Sequence, residues 1–249
     1  MIIDSSELKK LSNRDLEDIG GKLGFKSPDS SRGKKEDLIK FILGYMHSRS
    51  ENKQKRESKY KIVEQIGNAG KEGITYLVIK NKIEYAMKTF KKKKSSQRIS
   101  KEAELQKKAA DANISPKIFD VDLDKKFIVM EKMDQHLTDK ITQQKGNLNI
   151  SQQKQIIKIF KTLDKVKVFH ADSNMLNYMI LDNKIYIIDF GMSKDIDEKL
   201  GKKLGTNTPN IDLMTIGFIL KLKEFNCLPS SYSYLLNFVS PENKEKFNM

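Results

Sequence analysis

One cysteine, Cys227, three histidines and five prolines are spread over 249 residues. A lone cysteine excludes a disulfide within the chain and suits a reducing compartment. So few thiols and imidazoles argue against a structural zinc site, which draws most of its four ligands from those groups. No apolar run approaches membrane-spanning length, and Met1-Ile2-Ile3-Asp4-Ser5-Ser6 lacks the features of a signal peptide. An intracellular protein without membrane contact is therefore expected. No internal repeat is present. Acidic residues are in short supply, with 33 Asp plus Glu against 47 Lys plus Arg, a formal charge of +14 and a pI near 9.5. Such a surplus favours polyanions without choosing one. Residues 1–59 hold 14 basic and 10 acidic residues, so most of the surplus lies beyond them. Within it, the run Lys91 to Lys94 reads as a solvated basic loop. Heavy use of Lys, Ile and Asn fits an AT-rich genome, such as that of a large DNA virus or a protist.

What is present concentrates between His170 and Gly191. His170-Ala171-Asp172 is followed by Asn177, five positions after Asp172, and Asp189-Phe190-Gly191 closes the stretch. Between them Tyr178-Met179-Ile180-Leu181, the turn pair Asp182-Asn183 and Lys184-Ile185-Tyr186-Ile187-Ile188 read as a hairpin. A carboxylate placed to accept a hydroxyl proton, with an amide and a second carboxylate for magnesium, resembles the minimum that protein kinases supply around ATP for phosphoryl transfer.

Upstream segments add to this set. Ile66-Gly67-Asn68-Ala69-Gly70-Lys71-Glu72-Gly73-Ile74-Thr75-Tyr76 is a glycine-rich turn whose backbone can approach phosphates closely. Glu84-Tyr85-Ala86-Met87-Lys88-Thr89-Phe90 reads as a strand, with Lys88 fifteen residues after Gly73. Residues 97–112 have helical composition and contain Glu102 and Glu104. A strand follows at Lys126-Phe127-Ile128-Val129-Met130, then Glu131-Lys132-Met133-Asp134. A helix is expected over Ser151 to Val168, capped by Ser151, with Ile156, Ile157, Phe160, Leu163 and Val166 at helical spacing.

In this order the segments resemble the protein kinase superfamily from about Tyr60 to about Leu222. The resemblance implies an α+β, bilobal protein-kinase-like fold, with an N-lobe over 60–130 and a C-lobe over 134–249. It implies ATP and Mg2+ as cofactors and a protein serine or threonine as acceptor. Gly67, Gly70 and Gly73 would cover the nucleotide, although the first spacing is one residue longer than in G-x-G-x-x-G, so Gly70 and Gly73 align best. Lys88, beside Ala86 on its strand, would reach the phosphates, held by Glu102 in preference to Glu104. Glu131 and Met133 would lie at the hinge that grips adenine, with Met130 as gatekeeper. Asp172 would orient and deprotonate the acceptor hydroxyl, while Asn177 and Asp189 would hold metal.

The departures from the family pattern carry information of their own. Only 23 positions separate Asp189 from Asp212, no A-P-E intervenes, and Ile211-Asp212-Leu213-Met214-Thr215-Ile216-Gly217 looks like the helix after an activation segment. One more helix is expected, around Ser230 to Val239, so the C-lobe reads as truncated. Ala171 stands where many kinases carry the arginine that pairs with an activation-loop phosphate. Asn174 stands where serine/threonine kinases usually place a lysine. The compact ending and the H-x-D loop without that lysine resemble the RIO kinases and the small kinase subunit of the KEOPS complex. A pseudokinase scaffold, a small-molecule kinase and a kinase-fold ATPase in a nucleic-acid assembly are the alternatives. Retention of Lys88, Asp172, Asn177 and Asp189 weighs against the first, and the short C-terminal region against the second.

Residues 1–47 differ in character, and 48–59 read as a charged linker. Leu11, Leu16, Ile19 and Leu23 keep helical spacing around a Ser12 cap. Gly24-Phe25-Lys26-Ser27-Pro28-Asp29-Ser30-Ser31 reads as extended, and a second helix is expected from about Lys35 to about Met46. With Gly33-Lys34-Lys35-Glu36-Asp37-Leu38-Ile39, this small all-α, helix-extended-helix module resembles a SAP domain. That resemblance implies DNA as a partner, contacted through Arg32, Lys34 and Lys35 at a helix N-terminus. Oligomeric state is not legible.

Overall fold

In the computed structural model, which describes residues 5–24, 35–54, 59–67, 70 and 72–249, the chain divides into two units, Met1–Lys59 and Tyr60–Met249. The first contains α1 (Ser5–Lys10), α2 (Asn13–Lys22) and α3 (Lys35–Gln54). Ser12 caps α2 in a reciprocal box: the Asp15 amide donates to Ser12 Oγ at 3.2 Å, and the Ser12 amide to Asp15 Oδ2 at 3.2 Å. Leu8, Leu16, Leu38, Ile39 and Ile42 form the core, so α1, which the sequence reading lacks, contributes Leu8 to it. With no Gly or Pro after Gly44 to stop it, α3 runs to Gln54, through the first part of the stretch read as a linker. The extended link at 25–31, with Arg32 and Lys34, lies outside the described residues; Lys35 opens α3 and is half-buried.

The second unit begins with β1 (Lys61–Gln65), β2 (Gly73–Lys80), β3 (Ile83–Phe90), α4 (Ser96–Asp111), β4 (Ile118–Asp122) and β5 (Phe127–Glu131). The strands form one antiparallel sheet in the order β1-β2-β3-β5-β4. The two-residue period of β3 sends Ala86 and Phe90 to a core shared with Ile99 and Ala103 of α4. Met87 points the other way, packing with Tyr60, Val78 and Val129. Lys88, in phase with Ala86 and Phe90, is thereby directed toward α4.

Then come β6 (Gln135–His136), α5 (Leu137–Gln143), α6 (Ile150–Lys165), β7 (Val168–Phe169), β8 (Tyr178–Leu181), β9 (Lys184–Ile187), β10 (Lys194–Asp195) and α7 (Glu198–Leu204). A π-helical turn (Asn210–Met214) leads into α8 (Thr215–Glu224), and α9 (Pro241–Lys246) ends the chain. The hairpin β8–β9 turns on Asp182 and Asn183, both at positive φ (50° and 61°), the twist two-residue hairpin loops favour. Phe160 of α6, Tyr178 of β8 and Phe218 of α8 meet edge to face at 4.9–6.4 Å, joining helix, hairpin and α8 in one core.

Three expected details differ, the first being that α6 ends at Lys165 and Val168 belongs to β7, where the sequence pattern carries the helix to Val168. Asn149, not Ser151, caps α6, because the Asn149 side chain accepts the Gln152 amide and the Gln152 side chain returns to the Asn149 N–H. That reciprocal pair outcompetes a single serine cap. In place of a helix over 230–239, short 3-10 turns occupy Pro229–Ser231 and Leu235–Phe238. There Ser231 Oγ donates to the Gly146 carbonyl, Ser233 Oγ to the Ser230 carbonyl, and the Tyr234 amide to Gln153 Oε1. The Ser230 carbonyl and the Tyr234 amide thus take side-chain partners in place of those a helix would have supplied internally.

Candidate active site

Lys88 sits on the central strand β3, paired with Thr75 on one side and Ile128 on the other, so its backbone is fixed before its side chain is considered. Its Nζ lies 2.7 Å from Glu102 Oε1 and 2.7 Å from Asp189 Oδ1. Burial opposes its charge, but the Glu102 and Asp189 carboxylates outweigh that and hold its pKa above the ordinary lysine value. Asp189 mirrors this: partial burial would raise its pKa, yet Lys88 holds it below the usual carboxylate range. Glu102 is 3% exposed, whereas Glu104, the other candidate, is an exposed partner of Lys101 and Lys108 on the outer side of α4.

A second lysine enters the cluster. Lys94 is buried, and its Nζ lies 2.5 Å from both Glu102 Oε2 and Glu72 Oε2, so the reading of Lys91 to Lys94 as a solvated loop holds only for the exposed first three. Its place directly before the Ser95 cap of α4 was the available signal. Asp189 adopts a left-handed backbone (φ 64°, ψ 74°), an uncommon conformation for a residue other than glycine, and its Oδ1 accepts the Gly191 amide at 3.3 Å. A Cβ at Gly191 would sit 2.5 Å from Glu72 Oε2 and 3.2 Å from Asp189 Oδ1, so a side chain there would have to displace the Glu72 carboxylate.

The loop from His170 to Asn177 is held from below. The His170 amide donates to Asn210 Oδ1 at 3.1 Å, and the Asn210 Nδ2 donates to Asp164 Oδ1 (2.7 Å) and the Val168 carbonyl (2.8 Å). Asp164 also accepts the Asn210 and Ile211 amides, yet burial still raises its pKa. The His170 ring is fully buried, edge-on to Phe190, with Nδ1 and Nε2 each 3.0 Å from the carbonyls of Asp172 and Ile188. Desolvation lowers its pKa despite both carbonyls. The neutral ring therefore donates one proton to one of them. Ala171 takes φ 63°, and Asp172 Oδ1 accepts the Asn174 amide at 3.0 Å, which sets the carboxylate at the loop's half-exposed edge.

Asn177 is buried, its backbone joined to Asn174 and Ile188, and its side-chain Nδ2 has no partner. Because a half-turn of a carboxamide exchanges N and O, the residue keeps an unsatisfied polar end. An unpaired amide and a half-exposed carboxylate at Asp189 suit magnesium, which takes few protein oxygens and completes its shell with water and phosphate. Among the described residues there is no group of three or more His, Cys, Asp and Glu that could hold a metal.

The remaining expected residues fall at the sheet's edge of this cluster. Gly67 has φ +77°, and Gly73 packs so tightly on β3 that a Cβ would lie 2.2 Å from the Thr89 carbonyl; Asn68, Ala69 and Lys71 are outside the described residues. The Gly70 amide donates to the Gly73 carbonyl at 2.9 Å. Ala86 pairs with Met130 and Tyr85 with Glu131 across β3 and β5, and Met133 is buried just beyond. The segment after Asp189 is tied to α4 where Asp195 meets Lys101 (2.5 Å) and Lys108 (2.8 Å). The sequence reading missed Asp195, Asp164, Asn210 and Lys94: none falls in a kinase motif, and their partners are distant in sequence or, for Lys94, hidden in a lysine run read as solvated.

The family model for the protein kinase domain matches residues 60–210. A crystal structure of a kinase domain is similar at 20% identity with a TM-score of 0.49, over 57% of this chain and 53% of that one, so the likeness spans about half of each. Curated proteins yield no match.

Proposed function

Since the chain belongs to the protein kinase family through residues 60–210, we propose that it transfers the terminal phosphoryl group of Mg-ATP to a serine or threonine hydroxyl of a protein. The observation that carries this reading is Lys88 bridging Glu102 and Asp189, with Asp172 on the adjoining loop. In it, Lys88 binds and orients the nucleotide phosphates, and Glu102 keeps Lys88 extended toward them. Asp172 orients the acceptor hydroxyl and takes its proton, which leaves the oxygen free to attack. Asn177 and Asp189 hold magnesium, which when bound neutralises phosphate charge. Ala171 supplies no cation for a phosphate on the activation segment, and Asp195 already ties that segment to α4, which supports a compact enzyme active without that switch. The first unit recruits it to DNA through Arg32, Lys34 and Lys35.

The test separates chemistry from binding. Asp172→Ala is expected to lower transfer at least about a hundredfold with Mg-ATP affinity retained. Normal transfer by that variant would sink the role given to Asp172. Phosphate released to water rather than to protein, with DNA present or absent, would favour an ATPase instead.

A further inference from the structure

Within the run Lys91 to Lys94, three side chains are exposed and the fourth is buried. The turn is built to make that difference. Lys126 Nζ donates to the Lys92 and Lys94 carbonyls at 2.5 and 2.8 Å, and the Lys94 amide donates to the Lys91 carbonyl at 3.0 Å. Lys94 is thus turned inward over the Phe90 ring, 4.5 Å from its centroid, where its Nζ meets Glu102 and Glu72. The Lys91 amide donates to the Glu72 carbonyl at 2.9 Å, so the turn holds Glu72 through backbone as well as side chain.

We propose that Lys94 is a second positioning lysine of the nucleotide site, fastening Glu72 of the glycine-rich turn to Glu102 of α4 so that Mg-ATP meets both as one preassembled unit. The inference rests on the nucleotide-site reading above. Glu102 has a side chain only 2% exposed and two oxygens to satisfy; Lys88 takes Oε1, and without Lys94 the other would be a buried, unpaired acceptor. When phosphates draw on Lys88, Lys94 keeps Glu102 compensated, and the helix has no reason to move. The same ammonium holds the Glu72 carboxylate beside Gly191 of the Asp189 loop. Two cations, Lys88 and Lys94, serve three carboxylates, Glu72, Glu102 and Asp189, so removing either cation doubles the acidic surplus from one charge to two, which repels phosphate.

The test is the affinity of the full chain for Mg-ADP, measured by titration calorimetry. Lys94→Met is expected to weaken it about tenfold or more and Glu72→Gln about threefold or more, the double variant being no weaker than Lys94→Met alone. Lys94→Arg should recover to within about threefold, and Lys93→Met, which removes the same charge from an exposed neighbour, should leave affinity unchanged. An ion pair that serves stability alone would lower the melting temperature without moving these affinities. Lys94→Met within twofold of the wild type, or losses that multiply in the double variant, would overturn the proposal. Should Lys94→Met not fold, unchanged affinity in Glu72→Gln, whose side chain is 42% exposed, overturns it equally. A wild type that binds Mg-ADP but transfers no phosphate overturns only the proposed function; one that binds no nucleotide overturns both.

Discussion

His170 shows how a single residue can report on the site without taking part in it. Its ring is fully buried against Phe190, and burial holds its pKa below the ordinary histidine value even though Asp172 and Asp189 pull the other way. The unfolded chain binds this proton near pH 6.5, the folded chain only at lower pH. Because the folded pKa is depressed, the stability this residue contributes is complete above about pH 6.5 and is lost as pH falls toward the folded value. Unfolding free energy should therefore begin to drop as pH falls through about 6.5, with a slope of at most about 1.4 kcal/mol per pH unit for the one proton, above the range where most carboxylates titrate. Denaturant unfolding at several pH values checks this, with His170→Gln as the reference. An unchanged slope in that variant would assign the titration elsewhere.

At the scale of elements, residues with local partners were legible and residues with distant ones were not. Asp182-Asn183 announced its own turn, Ser12 its own helix, and the β3 alternation placed Lys88 with Ala86. Lys88, Glu102, Asp172, Asn177 and Asp189 could be named because each falls in a short pattern. Asp164 and Asn210 could not, since they are 46 positions apart and meet only when α6 packs against the π-helical turn. Lys94 was hidden for another reason: composition cannot separate one buried lysine from three exposed neighbours. The Asn210 side chain makes bonds to Asp164, Val168 and the His170 amide, all in the interior. Asn210→Ala should consequently cost about 2–4 kcal/mol, because it leaves a buried carboxylate and a buried amide without those partners. Urea unfolding measures the loss; a change below about 0.5 kcal/mol would mean water replaces the carboxamide.

At the scale of the whole molecule, charge is the property that connects the two units without reference to how they are arranged. The formal surplus is +14, of which residues 1–59 carry four charges and the remainder ten, a similar density, so net charge by itself does not single out the unit that meets DNA. If DNA is held mainly by Arg32, Lys34 and Lys35, affinity should depend on those three cations, however basic the rest of the chain is. Each phosphate contact contributes about 0.9 to the slope of log affinity against log salt, so replacing all three by alanine in the full chain should reduce that slope by about 2.7. A general attraction spread over the lysines of residues 60–249 would leave the slope nearly intact and lower affinity only slightly. Fluorescence anisotropy with a short duplex over a salt series distinguishes the two. The unaltered slope would assign the polyanion contact to the kinase unit, where an acidic substrate and DNA would compete for the same surface.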